Sequence, residues 1–259
     1  MPSGTNDVVS RVIAVMNQKG GVGKTTTAVN LAHALALGRQ RVLALDLDPQ
    51  AHLTTALGAD AASPGMDVVL LEGAPLADYR LRARDGLDLV PAGRGLANVE
   101  HLSEGGKARG MRLRTALDAC GEHYDAVIID CPPSAGLLGM NALFAASELL
   151  IPVSSDYLAL HSLSRFMETL SFVEETLRRP LPRRVVMTRF HAQRRLAREV
   201  RERLAEYFQG RLLDTAIREN VALAECPSFG ETIFEYQDDS HGAEDYRRLA
   251  EEMVAAQWH

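Results

Sequence analysis

The chain has 259 residues, of which 46% are hydrophobic and 24% charged, with a formal net charge of −6. That is enough apolar material for one large buried core and an ordinary charge fraction for a soluble protein, and no apolar run approaches the ~18 residues of a membrane span. Three cysteines, Cys120, Cys131 and Cys226, are odd in number and lack CxxC spacing, which argues against a disulfide framework or a zinc site and fits a reducing cytoplasm.

The start, "MPSGTNDVVSRV", has neither an apolar signal region nor an Arg-rich amphipathic pattern, so export is not expected, and residues 1–10 read as a flexible lead. "RVIAVMN" (11–17) is a β-branched run that ends in a glycine loop, and "KTTTAVNLAHALALG" follows with apolar residues at helical spacing and a terminal glycine. "RVLALDLD" (41–48) is a second buried-type strand with acidic residues at its C-terminal end. Weakly patterned short helices and turns are expected over 58–86, then a strand in "LDLVPAG" (87–93) and a helix over about 107–120. "YDAVIIDCPP" (124–133) is a strand cut off by two prolines. "ELLIPVS" (148–154) is another, followed by a helix over about 160–177. "RRVVMTRF" (183–190) reads as a strand, 193–208 as a charged helix, "RLLDTAI" as the last strand, and "GAEDYRRLAEEMVAAQ" as the final helix. Strands alternating with helices at this spacing predict an α/β fold, a doubly wound, mostly parallel sheet with helices on both faces, in a single domain over 1–259.

Lysine usage is uneven. Only Lys19, Lys24 and Lys107 stand among the 28 basic residues, and two of the three share one loop, "MNQKGGVGKTT" (16–26). The general arginine bias fits a GC-rich coding sequence, but that does not explain the two exceptions. A strand that feeds a glycine-rich turn into a helix N-terminus offers backbone N–H groups and the positive end of a helix dipole to an anion. Gly20, Gly21 and Gly23 let the backbone wrap phosphates, Lys24 reaches the β/γ-phosphates, and the Thr25 hydroxyl suits Mg²⁺. With Lys19, Val22 and Thr26 they form the candidate nucleotide site. Asp130 ends a strand and suits a Mg²⁺ role through water, as a Walker B aspartate does. Asp48, beside Pro49 and Gln50, is placed to orient an attacking water; a turn or N-cap aspartate is the alternative.

"KGGVGKTT", "DLDPQ" and "DCPPS", in this order, resemble the deviant Walker A ATPases of the ParA/MinD superfamily. The tail "ECPSFGETIFEYQDDSHGAEDYRRLAEE" resembles that of ParA/Soj partition ATPases, and the likeness runs from about Arg11 to Met253. The resemblance implies slow, partner-stimulated ATP hydrolysis and a sandwich homodimer in which Lys19 crosses to the partner's nucleotide. It makes Asp48 the aspartate needed for hydrolysis, puts Pro227 in the segment that packs on adenine, and puts Thr188 at a strand end near the base. It also implies nonspecific binding to nucleoid DNA, a ParB-like adaptor and no membrane. A protein cargo, such as a chemotaxis array or carboxysome, would use the same engine. A MinD-like membrane ATPase would end in a basic amphipathic helix; this chain ends "AEEMVAAQWH". An iron–sulfur reductase would need bridging cysteines, and Cys131 reads instead as packed filler.

The chain departs from the family in places. Ala51-His52-Leu53 stands where Gly-Asn-Ala is common, His191-Ala192-Gln193 where Asp-x-Arg is common, and Glu219 and Ala222 where arginines implicated in DNA binding are common. Between Arg178 and Arg218, however, twelve arginines face four acids, a net of +8, which leaves about −14 for the rest of the chain. Arg194, Arg198 and Arg201 fall at i, i+4, i+7 of the 193–208 helix with Arg195 on the flank, and with Arg218 they are the DNA-binding candidates. Glu199, Glu202 and Glu206 interleave, so a solvated, salt-bridged helix is the alternative.

Overall fold

The computed structural model describes residues 11–103, 105–134, 136–156 and 158–255. The flexible lead expected over 1–10 and the end of the final helix expected beyond Ala255 lie outside the described residues.

The first strand, β1 (Arg11–Val15), shows why both faces of the sheet are covered. Val12 and Ala14 pack into one apolar core, while Ile13 and Val15 pack into the other. Successive strand side chains point to opposite faces, so a continuous apolar run requires helices on both. Helix α1 (Lys24–Leu37) follows the glycine loop and stops at Gly38. Strand β2 (Val42–Asp46) divides its residues between the two cores in the same way. The short helices α2 (His52–Ala56) and α3 (Met66–Glu72) come next, then β3 (Leu81–Arg84) and β4 (Leu87–Val90). Helix α4 (Arg112–Asp118) leads to β5 (Ala126–Asp130), α5 (Leu137–Ala145) to β6 (Glu148–Ser154), and α6 (Leu158–Leu177) to β7 (Arg183–Phe190). Helix α7 (Arg195–Tyr207), β8 (Leu212–Arg218), the single turns α8 (Ala222–Glu225) and α9 (Ile233–Tyr236), and α10 (His241–Ala255) complete the chain.

The eight strands form one sheet in the order β3-β4-β2-β5-β1-β6-β7-β8, parallel throughout except for the β3–β4 edge pair. The expected doubly wound, mostly parallel fold is observed. β1 lies at the centre between β5 and β6, so its C-terminal end, where the glycine loop begins, adjoins the end of β5, with the end of β2 one strand beyond. In open sheets of this kind ligands gather at that edge. α1 and α10 cover one face, and α5, α6 and α7 cover the other.

Three expectations need correction. The helix expected over 107–120 begins as a 3-10 turn, Gly106–Met111, because Gly105 and Gly106 take left-handed φ values of 93° and 51° at its entry. The region 58–86 ends in a true strand, β3, whose charged "LRAR" pairs antiparallel at the sheet edge. α5 has no counterpart among the predicted elements: "LLGMNALFA" is apolar on every side and so carries no helical period. Among the described residues no helix is long and apolar enough to cross a membrane.

Candidate nucleotide site and arginine surface

The loop between β1 and α1 is held from below. Asn17 is fully buried; its Nδ2 donates to Pro152 O at 2.8 Å, and its Oδ1 accepts the Lys19 N–H at 3.0 Å. Sequence reasoning passed over Asn17, since its partner on β6 lies 135 positions away. Val22 is buried too, and its carbonyl accepts the Thr188 hydroxyl at 2.8 Å, which binds the loop to the end of β7. Gly21 and Gly23 take φ of 73° and 83°, the left-handed region that costs other residues about 1–2 kcal/mol. No side chain caps α1, so the N–H groups of its first turn are left to face the loop, the arrangement that binds phosphate.

The two lysines take different positions. Lys24 is 7% exposed, and burial pulls its pKa down against the attraction of Asp130 and Asp48. Its Nζ donates to the Lys19 carbonyl at 3.2 Å. Lys19 extends to the rim and pairs with Asp156 beyond the end of β6, whose other oxygen accepts the Ser154 hydroxyl at 2.6 Å. Asp156 is a second residue that sequence reasoning missed.

Three carboxylates complete this edge. Asp46 and Asp130 are register partners at the ends of β2 and β5, and both are fully buried. Asp130 Oδ2 accepts the Thr25 hydroxyl at 2.7 Å, while its Oδ1 is buried with no hydrogen-bond partner. Burial, and then the charge of Asp46, push the Asp130 pKa well up. Asp46 is pushed up to about 6 by burial, against hydrogen bonds from the Thr54 hydroxyl (2.6 Å), the Thr54 N–H (2.8 Å) and the Asp48 N–H (3.1 Å). Asp48 lies nearer the surface and accepts the Gln50 N–H at 3.0 Å. Ala51, where glycine is common in the family the sequence resembles, takes a left-handed φ of 55°. A buried carboxylate oxygen without a donor, beside a threonine hydroxyl, suits a hard cation that draws its remaining ligands from phosphate and water. Among the described residues no group of three or more His, Cys, Asp or Glu forms a protein cage for a metal.

Beside the loop opens a cleft of about 410 Å³, lined by Gly23, Thr26, Thr188, Arg189, Glu219 and Val221 among others. Thr188 therefore meets the loop as expected. Pro227 is the second residue of the turn Cys226–Phe229 and is half-buried, outside the lining of this cleft. Cys131 is fully buried, and burial followed by the charge of Asp130 pushes its thiol pKa well up, which fits packing.

A family model described as an AAA domain matches residues 10–182. The sporulation initiation inhibitor protein Soj of Bacillus subtilis (strain 168) is 41% identical over 251 residues, 95% of this chain and 99% of its own. The chromosome partitioning protein ParA of Myxococcus xanthus (strain DK1622) is 39% identical over 253 residues, 95% of this chain and 88% of its own. The chain belongs to the Soj/ParA family of partition ATPases. The crystal structure of cobyrinic acid a,c-diamide synthase from Mycobacterium smegmatis, with bound ATP analog and magnesium, has the same fold. It matches with a TM-score of 0.81 at 32% identity, over 95% of each chain.

In this Soj/ParA-family member the arginines divide into an exposed group with local partners and a group tied to other elements. Arg194 precedes α7 as its N-cap rather than lying within it, 63% exposed and 3.5 Å from Glu219. Arg195 is 87% exposed and pairs with Glu199 at 2.7 Å. Arg198 donates to Ala192 O at 2.9 Å and is exposed. Arg201 is half-buried, donates to Asp214 O at 3.1 Å and lies over the Phe190 ring. Arg218 is committed to α10: its guanidinium grips Asp245 and Glu244, each at 2.6 Å. Those partners hold its pKa above the ordinary arginine value. Arg194, Arg195 and Arg198 thus stand exposed together at one end of α7, while Arg201 and Arg218 are tied to β8 and α10.

Proposed function

We propose that this chain is an ATP-driven dimerising switch that hydrolyses ATP slowly, binds DNA without sequence preference in its ATP-bound dimer, and thereby segregates a chromosome or plasmid partition complex. The observation that carries the reading is the meeting of a two-lysine glycine loop with Thr25, Asp48 and the unpartnered Asp130 oxygen at one sheet edge. The relatives at 41% and 39% identity, a Soj protein and a chromosome partitioning ParA, align over 99% and 88% of their own length, which favours this reading over the amide chemistry named for the structure at 32%.

In this reading the N–H groups from Gly20 to Thr26 cradle the phosphates, and Lys24 places its charge on the β/γ oxygens. The Thr25 hydroxyl and, through water, Asp130 would hold Mg²⁺, which neutralises charge on the departing phosphate when bound. Asp48 orients the attacking water. Thr188 and the segment around Pro227 flank the base. Lys19 leaves Asp156 to reach the partner's nucleotide, so hydrolysis and dimerisation share one residue. With positioning as the main catalytic device and half the site supplied by a second subunit, turnover should lie far below the ~10 s⁻¹ typical of enzymes. A ParB-like adaptor would raise it. The protein acts in the cytoplasm on the nucleoid.

The DNA surface is assigned to Arg194, Arg195 and Arg198, with Arg201 and Arg218 at its margin. Dimerisation doubles this patch. Binding to phosphates alone carries no base information and weakens with salt, with a log–log slope of about −0.9 per phosphate neutralised. The variant Arg194→Glu/Arg198→Glu should lose ATP-dependent retention of duplex DNA of any sequence, measured by fluorescence anisotropy, and keep its dimerisation. Full DNA affinity in that variant would remove the surface from α7.

A further inference from the structure

The turn that follows Asp130 runs into a helix whose first N–H groups are anchored by a distant carboxylate. Pro132, Pro133 and Ser134 lead through Gly136 into α5. The first two N–H groups of that helix, Leu137 and Leu138, donate to the two oxygens of the Glu100 carboxylate at 2.5 and 3.2 Å. A Cβ at Gly136 would lie 2.3 Å from a Glu100 oxygen, and one at Gly139 would lie 2.7 Å from the Ser134 carbonyl and 3.5 Å from Met16 at the root of the glycine loop. Neither Gly136 nor Gly139 has room for a side chain, so the start of α5 is packed closely against Glu100 on one side and the Ser134 carbonyl on the other.

Glu100 lies in the 3-10 turn Leu96–His101, and the segment that reaches it is tied at its other end to the loop of Asp48. The Ala92 N–H donates to the Thr54 hydroxyl at 3.1 Å, and that hydroxyl donates to Asp46 at 2.6 Å, the carboxylate that also accepts the Asp48 N–H. Midway, the Gly95 N–H donates to Asp67 at 2.9 Å. Residues 92–100 thus brace the two loops that carry Asp48 and Asp130 against each other. Charge-assisted bonds from a carboxylate to a helix N-terminus are among the stronger ones available.

We propose that Glu100 is a positioning residue of the ATPase site: it fixes the turn after Asp130 relative to the Asp48 loop, and the response of both loops to the γ-phosphate depends on it. The proposal rests on the ATPase reading above. Glu100 touches neither the glycine loop nor the cleft beside it, so its removal should leave ADP affinity within about twofold of wild type. Turnover should fall by about tenfold or more, the scale set by loss of one charge-assisted hydrogen bond. The preference for ATP over ADP should shrink with it.

The test compares the full-length wild type, Glu100→Ala and Glu100→Gln in thermal unfolding, in ATP and ADP affinity by calorimetry, and in steady-state turnover with Mg²⁺. Glu100→Gln retains one acceptor oxygen and should recover part of the turnover; if Glu100→Ala does not fold, it carries the comparison with the wild type. Wild-type turnover in a folded Glu100 variant overturns the proposal. So does an equal loss of ATP and ADP affinity with a lowered melting temperature, since that is what a purely structural residue would produce. A wild-type chain that neither binds nor hydrolyses ATP overturns the ATPase reading, and the proposal with it.

Discussion

Asp46 and Asp130 stand side by side at the ends of β2 and β5, and water reaches neither. Ionised, each pays a desolvation cost that hydrogen bonds only partly offset, and each raises the cost of the other. Without nucleotide, the neutral variant Asp130→Asn should therefore be more stable than wild type by about 1 kcal/mol or more in denaturant titrations at pH 8. A loss of stability would mean that attraction between Asp130 and Lys24 outweighs the burial. Burial pushes Asp46 up to about 6 in the folded chain against 3.8 ordinarily, and Asp130 is pushed in the same direction. The stability they bring is complete below pH ~4 and is lost as pH rises through their folded values. His33 acts in the opposite sense: burial lowers its pKa, so its contribution is present above pH ~6.5 and is lost as pH falls. Two carboxylates outweigh one imidazole. The unfolding midpoint should rise from pH 8 to pH 5, with a flatter slope in Asp130→Asn. Both carboxylates were legible in the sequence as acids at the ends of apolar strands. Asn17, Asp156 and Glu100 were not, because their partners lie 135, 137 and 37 positions away and no local pattern marks them.

At the scale of elements, α1 joins the phosphate loop to the C-terminal segment. Thr27, Asn30 and His33 recur every third residue on its buried side. Thr27 pairs with the Tyr246 hydroxyl at 3.2 Å, Asn30 Oδ1 accepts the Ile233 N–H at 2.9 Å, and His33 Nδ1 meets the Thr232 hydroxyl at 2.6 Å. Thr232 also forms a reciprocal capping box with Glu235 at the start of α9. Thr232→Ala removes a cap and strands a buried imidazole, so it should destabilise the chain by about 2 kcal/mol. A change within ~0.5 kcal/mol in chemical denaturation would show that this polar stripe contributes little. The β1–loop–α1 unit could be read from sequence because a strand, a glycine turn and a helical period follow one another without a break. α5 could not, since its partly exposed face, Leu137, Met140 and Phe144, is as apolar as its buried one and leaves no period. Nor could β3, because four residues with two arginines look like a turn until β4 supplies a partner.

For the whole molecule, the central question is why one loop keeps two lysines in a chain that otherwise uses arginine almost throughout. Lys24 is drawn into the protein, and Lys19 lies at the rim, held by an acid from another strand end. A lysine poised at the rim can serve a second subunit. Apolar periodicity and strand spacing gave the sheet and its two helical layers, but the use of that rim depends on a surface that one chain does not contain. Light scattering of Asp48→Ala, the variant expected to lose hydrolysis, with and without a further Lys19→Ala change, tests this most directly. With saturating ATP and Mg²⁺ the single variant should have the mass of a dimer, and with ADP that of a monomer; the double variant should bind ATP and remain a monomer. A single variant that stays monomeric under saturating ATP, or a double variant that dimerises as readily as the single one, would contradict the account.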